Sequence, residues 1–196
     1  MDHTIFRWIN DLTVHTTWAN GSMKFYAKTG IAVFAVLLVV VYLDARHRDD
    51  HERLAGAIWA GGAALAALGL GQLIGRAVDR ARPYESLNNV HLLVAKTTDF
   101  SFPSDHATVA GAVAAGLLLT NRRWGTVAAI AAVMMAFARV YVGAHFPADV
   151  VAGLALGATV AISGRYLIVP QLRRLIGHLA TTPLRRLLTA APGQRS

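Results

Sequence analysis

Five stretches of this chain are long and apolar enough that their solvent must be a bilayer rather than water. They run over about 26–44, 54–75, 104–120, 124–142 and 148–169, and a spanning helix needs roughly 20 apolar residues, within a range of about 17–25. Inside lipid no water satisfies backbone N–H and C=O groups, so each segment must close its own hydrogen bonds as a helix. The expected fold class is therefore all-α, a polytopic membrane helical bundle of about five transmembrane helices. The third and fifth stretches begin on polar residues and are rich in Ala and Gly, which suits close helix packing. Composition agrees, since 55% hydrophobic and only 15% charged residues are too apolar for an ordinary soluble domain. No linker or repeat divides the 196 residues, so one domain covering 1–196 is expected.

The flanks read differently. Between residues 5 and 18, Ile5, Phe6, Trp8, Ile9, Leu12 and Trp18 fall roughly on one helical face while Asn10, Asp11 and Thr17 lie largely elsewhere, the pattern of an N-terminal interfacial amphipathic helix. The same region has neither an apolar h-region nor a small-residue cleavage site, so no signal peptide is expected. Residues 171–196 form a basic tail suited to anionic headgroups. Arginines crowd one set of loops (Arg46, Arg48, Arg53, Arg122, Arg123) and this tail, which predicts that side, and the C-terminus, to be cytoplasmic. The net charge of +8 accompanies no basic stripe with interleaved aromatics, so lipid rather than nucleic acid is the expected partner. With no cysteine, disulfides and thiol chemistry are excluded.

The five spans bring three polar clusters to one membrane face: RAVDRARPY after the second span, FSFPSDHA before the third, and RVYVGAHFPAD between the fourth and fifth. Charge at a membrane is costly and usually marks function. If His145 and Asp149 start a helix, their spacing places them on one face, where the carboxylate can accept the imidazole N–H and leave the other ring nitrogen as nucleophile or base. The alternative is an interfacial histidine with Asp149 as a helix cap. Ser104 or Asp105 reads as a cap at a helix entry whose free N–H groups suit an anion, and His106 is the residue capping does not explain. Arg76, Arg80 and Arg82 cluster before Pro83, either as interfacial anchors or with one turned inward. Taken together with Arg139, these groups make a phosphate pocket: guanidinium forks for oxygens, a nucleophile, and an acid for the leaving group.

At these residues the chain resembles the type-2 phosphatidic acid phosphatases, membrane lipid phosphatases related to the vanadium haloperoxidases, whose motifs are K-x6-RP, PSGH and SR-x5-H-x3-D. The matching residues are Arg82-Pro83, Pro103-Ser104-Asp105-His106, and Arg139 followed by His145 and Asp149, within about 75–150. The PSDH form and the run DFSFPSDHA are similar to the bacitracin-resistance type of undecaprenyl pyrophosphate phosphatase. The family lysine falls on Gly75, for which Arg76 is the nearest substitute, with Arg80 and Lys96 as other candidates. Ala138 stands for the family serine, and Asp105 for a glycine whose backbone touches phosphate.

The resemblance implies that His145 attacks phosphorus, that Asp149 orients it, and that His106 protonates the leaving oxygen and then activates water. It further implies that Arg82, Arg139 and Ser104 hold the phosphoryl oxygens, with Arg76 and the Asp105 backbone as further contacts. No metal and no cofactor is required by this scheme. A neutral His145 beside a charged His106 predicts a bell-shaped pH dependence. The expected protein is a multi-pass phosphatase of a bacterial cytoplasmic membrane, with its site on the outer face and undecaprenyl pyrophosphate as substrate. Phosphatidylglycerophosphate, phosphatidic acid or another polyprenyl phosphate are the alternative lipids. An anion transporter and a phosphate-lipid sensor are the non-enzymatic alternatives.

Overall fold

The apolar stretches are helices in a computed structural model that describes residues 1–183 and 185–188; residues 184 and 189–196 of the expected basic tail lie outside the described residues. In chain order the helices are α1 (Asp2–His15), α2 (Thr17–Thr29), α3 (Ile31–His47), α4 (His51–Val78), α5 (Pro83–Ser86), α6 (Asp105–Leu118), α7 (Arg122–Tyr141), α8 (Pro147–Leu167), α9 (Val169–Leu179) and α10 (Arg185–Leu188). No strand occurs among the described residues.

Among the described residues three helices are long and apolar enough to cross a bilayer, or four if a bent pair counts as one, so the expected count of five is not reached by length and composition. The helices α4, α7 and α8 are each long and apolar enough to cross a bilayer, and α2 with α3 forms the pair, bent by 57°. The expected first span, 26–44, straddles that bend at Gly30, where a side chain would strike Tyr26 and Met135. The expected third span, 104–120, is a shorter apolar helix, α6. At about 1.5 Å per residue, the 14 residues of α6 reach well short of a hydrocarbon core about 30 Å thick. This helix is surrounded by α4, α7 and α8 and buries Ala107, Thr108, Ala110, Ala112, Val113 and Leu117, so protein rather than lipid is its solvent. Hydropathy cannot tell those two apolar surroundings apart.

Small residues set the helix spacing. A Cβ on Gly157 of α8 would collide with the carbonyl oxygen of Thr108 and lie 2.6 Å from the Ala112 nitrogen, while one on Gly111 of α6 would meet the Leu154 backbone. With no other hydrophobic drive between helices in lipid, this close approach supplies the packing. Gly157→Val is therefore expected to cost about 1–3 kcal/mol through overpacking, read as a lower midpoint of thermal unfolding in detergent. An unchanged midpoint would mean that the α6–α8 contact is slack.

The N-terminal helix also departs from expectation. Its buried face is Phe6, Asn10 and Thr13, while Trp8 and Ile5 face outward. Asn10, expected off the buried face, donates to the carbonyls of His91 and Tyr141 (both 2.9 Å) and accepts from the His91 N–H (2.9 Å). A polar side chain with three partners is satisfied when buried, so α1 docks on protein with a polar latch instead of resting on headgroups alone. At the opposite end, Arg165 and Arg173 pair with Glu52 (2.6 and 3.5 Å), and α9 buries Val169 and Ile176 against Ala45, Leu54 and Ala55.

Candidate active site

Two prolines decide how the functional side chains leave their helices. Helix α4 stops where Asp79 takes a left-handed conformation (φ 48°) and its N–H closes on the Gly75 carbonyl. The chain then runs extended through Arg82 into Pro83, as the proline ring requires of its predecessor, and this turns Arg82 inward to 4% exposure. After α7, Gly143 reverses the chain at φ 79°, a region open to glycine without strain. Phe146 is extended before Pro147, so α8 begins at residue 147 and His145 lies in the preceding turn. The expectation that His145 and Asp149 share a helix is corrected by that proline.

The His145 ring is fixed at both nitrogens. Its Nδ1–H donates to the Ser101 carbonyl (2.8 Å), so Nε2 carries the lone pair. That lone pair lies 3.2 Å from Arg82 Nη1 and 3.3 Å from Arg139 Nη2. The Asp149 carboxylate is 3.8 Å from Nδ1, too far to accept the ring proton, so a backbone carbonyl holds the tautomer where Asp149 was expected to do so. Burial, with the Arg139 and Arg82 charges added, pushes the His145 pKa down to about 4. The imidazole is therefore neutral near pH 7 with a free electron pair between two cations.

Asp149 is completely buried and accepts from Ser101 Oγ (2.5 Å), the Phe146 N–H (2.9 Å) and Arg80 Nη1 (2.7 Å). Its carbonyl accepts from the Ser104 N–H (3.0 Å). The capping reading is right for the Phe146 contact, in which the third helical residue reaches back to the cap. Beyond that, Asp149 ties Ser101, and so the carbonyl gripping His145, to the start of α8. Arg80 spans two carboxylates, its other arm on Asp2 (2.5 Å) and its guanidinium over the Phe146 ring at 4.3 Å. Asp2 in turn accepts from the Ala148 N–H (2.9 Å). Arg80, a candidate substitute for the lysine, is thus a strut behind the histidine.

A cavity of about 290 Å³ opens beside His145 and is also lined by His106, Arg82, Arg139, Asp105, Lys28 and Asp99. Arg82 donates to the carbonyls of Ala144 (2.9 Å), Asp99 (3.2 Å) and Phe100 (3.3 Å) and to the Asp99 carboxylate (3.0 Å). Burial raises the Asp99 pKa, but the Thr97 hydroxyl and the Arg82 charge outweigh it and hold the carboxyl below its usual range. Arg139 donates to the Ala27 carbonyl (3.1 Å), and its Nε and the Ser104 hydroxyl are buried with no partner among the described residues. Ser104 stands at the cap position of α6 yet its side chain caps nothing. The N–H groups of Asp105 and His106 in the first turn have no intrahelical acceptor.

Arg76 does not join this group: it is exposed on α4 and does not line the cavity. A Cβ at Gly75 would lie 3.0 Å from the Phe102 carbonyl and 3.3 Å from the Phe100 ring, so that position is packed behind the Phe100–Pro103 segment. Lys96 sits over the Tyr84 ring at 5.7 Å, outside the cavity lining. Asp105 turns its carboxylate to Gln72 Nε2 (3.0 and 2.9 Å). Sequence reasoning missed Ser101, Asp2, Gln72, Asp99 and Lys28. Ser101 lay within the quoted run DFSFPSDHA, and Lys28 was visible as a cation inside an apolar stretch.

Comparison with known proteins gives the same picture at the level of family. A protein-family model described as PAP2 superfamily matches residues 56–173. Undecaprenyl-diphosphatase BcrC of Bacillus subtilis is 31% identical over 154 residues, covering 79% of this chain and 77% of that protein. An undecaprenyl-diphosphatase of Sulfolobus acidocaldarius is 40% identical over 96 residues, 48% of this chain and 47% of that one. The crystal structure of Aquifex aeolicus LpxE shares the fold with a TM-score of 0.64 at 22% identity, over 83% of this chain and 93% of that one.

Proposed function

The chain belongs to the PAP2 superfamily and is a membrane lipid phosphatase, and from that premise we propose that it removes the terminal phosphate of undecaprenyl pyrophosphate through a phosphohistidine on His145. The observation that carries the reading is the His145 Nε2 lone pair held between Arg82 and Arg139 in a cavity it shares with His106. Nε2 forms a bond to the terminal phosphorus as the bond to the bridging oxygen breaks. His106 gives its proton to that oxygen, and lipid monophosphate leaves. His106 then takes a proton from water, whose oxygen displaces phosphate from Nε2 and restores the neutral ring. Throughout, the Ser101 carbonyl keeps the Nδ1 proton. Arg82, Arg139, the Ser104 hydroxyl and the first-turn N–H groups of α6 hold the phosphoryl oxygens as charge spreads over them.

Asp149 acts as a positioning residue, through Ser101. Arg76 has no role in this scheme, and the Asp105 backbone keeps one. The reading treats 1–196 as one catalytic unit with a core at about 75–150. It places the site on the outer face of a bacterial cytoplasmic membrane and the C-terminus in the cytoplasm, supported by the arginines at the opposite end.

The test is phosphate release by the purified protein in detergent, with EDTA present, from undecaprenyl pyrophosphate and phosphatidylglycerophosphate. EDTA-resistant release, faster from the diphosphate, is expected; a faster monophosphate would reassign the substrate, and silence on both would sink the reading. The same assay gives the pH dependence. Because the free enzyme needs His145 neutral and its pKa lies at about 4, the acid limb that His145 sets on kcat/KM lies near that value and not at 6.5, once substrate ionisation is corrected by phosphorus NMR. A His145-dependent acid limb at 6.5 or above would contradict the buried, arginine-flanked ring.

A further inference from the structure

In-line transfer onto a buried nucleophile fixes where the leaving group goes. His145 Nε2 and its two arginines form the buried floor of the cavity, so the departing oxygen lies on the far side of the phosphorus, toward the mouth. For a lipid monophosphate that departing group needs only a proton. For a lipid diphosphate it is a second phosphate, which carries charge of its own and needs a cation outside the floor.

Lys28 is placed to be that cation. It lies in the last turn of α2, exposed, and lines the same cavity. Its ammonium has no hydrogen bond or ion pair among the described residues. The backbone beside it is tied to the floor, because the carbonyl of Ala27 accepts from Arg139 Nη1 (3.1 Å) and Ala27 is fully buried. An ionisable residue at membrane depth with no structural partner marks function. Charge balance points the same way. The guanidinium groups of Arg82 and Arg139 are matched in number by two carboxylates lining the same cavity, Asp99 and Asp105, so Lys28 is the lining cation, apart from the titratable histidines, that no carboxylate there balances. Position 75, where a lysine was expected, is packed behind Phe100 and Phe102.

We infer that Lys28 binds the leaving phosphate of a lipid diphosphate and sets the preference for diphosphate over monophosphate substrates. The inference rests on the phosphatase reading above. Lys28 acts from the rim, by attraction to the oxygens of the phosphate that stays with the lipid, and takes no part in bond making at the transferred phosphorus.

The test compares Lys28→Met, which keeps the methylene length without the charge, and Lys28→Arg with wild type. Lys28→Met is expected to lower kcat/KM for undecaprenyl pyrophosphate by about 10- to 100-fold, the range of one charge-assisted contact, with Lys28→Arg recovering most of it. Inhibition by inorganic pyrophosphate should weaken by a similar factor, while inhibition by inorganic phosphate stays within about twofold, since a single phosphate sits on the floor. Unchanged kcat/KM in Lys28→Met would overturn the inference. An equal weakening for phosphate and pyrophosphate would also overturn it, by making Lys28 part of the floor or of the scaffold. A wild type that releases phosphate from neither lipid overturns the phosphatase reading itself, and this inference falls with it.

Discussion

Replacing His145 with alanine is expected to reduce phosphate release by about 10⁴-fold or more, the scale seen when a covalent nucleophile is removed. Wild-type enzyme mixed with substrate labelled at the terminal phosphate and quenched in alkali should hold label on the protein, and the alanine variant should hold none. Alanine removes the donor to the Ser101 carbonyl and the acceptor for two guanidinium groups, so a change in folding must be separated from lost chemistry. Gel filtration and thermal unfolding do so, and His145→Asn provides a second variant with polar atoms in the same place. A folded His145→Ala enzyme that keeps more than a few per cent of wild-type turnover would remove His145 from the chemistry. Substrate binding should survive the substitution, because Arg82, Arg139 and Ser104 remain. The loss of turnover with binding retained separates an enzyme from a sensor, which has no turnover to lose.

The second large effect is expected at Arg82, and its conservative substitution is the informative one. Arg82→Lys keeps the charge but replaces a planar fork by a single ammonium. The guanidinium now reaches the carbonyls of Ala144, Asp99 and Phe100, the Asp99 carboxylate and His145 Nε2 from three nitrogens. One nitrogen with three protons cannot span those directions. The expected loss is about 10²–10³-fold in kcat, or about 2.7–4 kcal/mol of transition-state stabilisation, with a smaller change in KM because the positive charge persists. Steady-state kinetics on undecaprenyl pyrophosphate reads the split. If kcat is retained and KM rises, Arg82 supplies binding charge alone and the forked geometry has no bearing on the transition state.

The site was legible where its chemistry depends on residue type and spacing. Arg82, His106, Arg139 and His145 stand out because charge beside apolar helices is expensive, and the structure brings all four to one cavity. What the sequence hid was the support. The His145 tautomer depends on a backbone carbonyl, and every residue has one, so Ser101 carried no signal. Arg80 and Arg82, two residues apart, looked interchangeable, and only the turn after Asp79 separates a strut from a cavity residue. Arg76 drew attention as the nearest cation to Gly75, but helical geometry points it outward, and the lysine that lines the cavity, Lys28, comes from a distant helix.

The fold shows the same division. That the chain is helical and membrane-embedded followed from apolar length, because lipid leaves few alternatives for the backbone. The number of spans did not follow as directly, since the 14 residues of α6 are packed among neighbouring helices and are shorter than an ordinary spanning helix. For α1 the periodicity identified a helix correctly and its docking incorrectly, because the Asn10 latch is made to residues far along the chain.

The strut formed by Asp2, Arg80, Asp149 and the Ala148 N–H carries a consequence for biosynthesis. Its contacts reach across 146 positions of sequence, from Asp2 to the start of α8. A chain is made from its N-terminal side, so Asp2 is made before Arg80 and Ala148 and must wait while α2 through α7 are made. Pairings of such sequence separation close late, because loop entropy must be overcome before they form. The nascent protein therefore has Arg82 well before it has Asp149, the carboxylate joined through Ser101 to His145. On the proposed mechanism, catalytic competence arrives only when α8 does, so an incompletely inserted chain carries Arg82 without an aligned nucleophile.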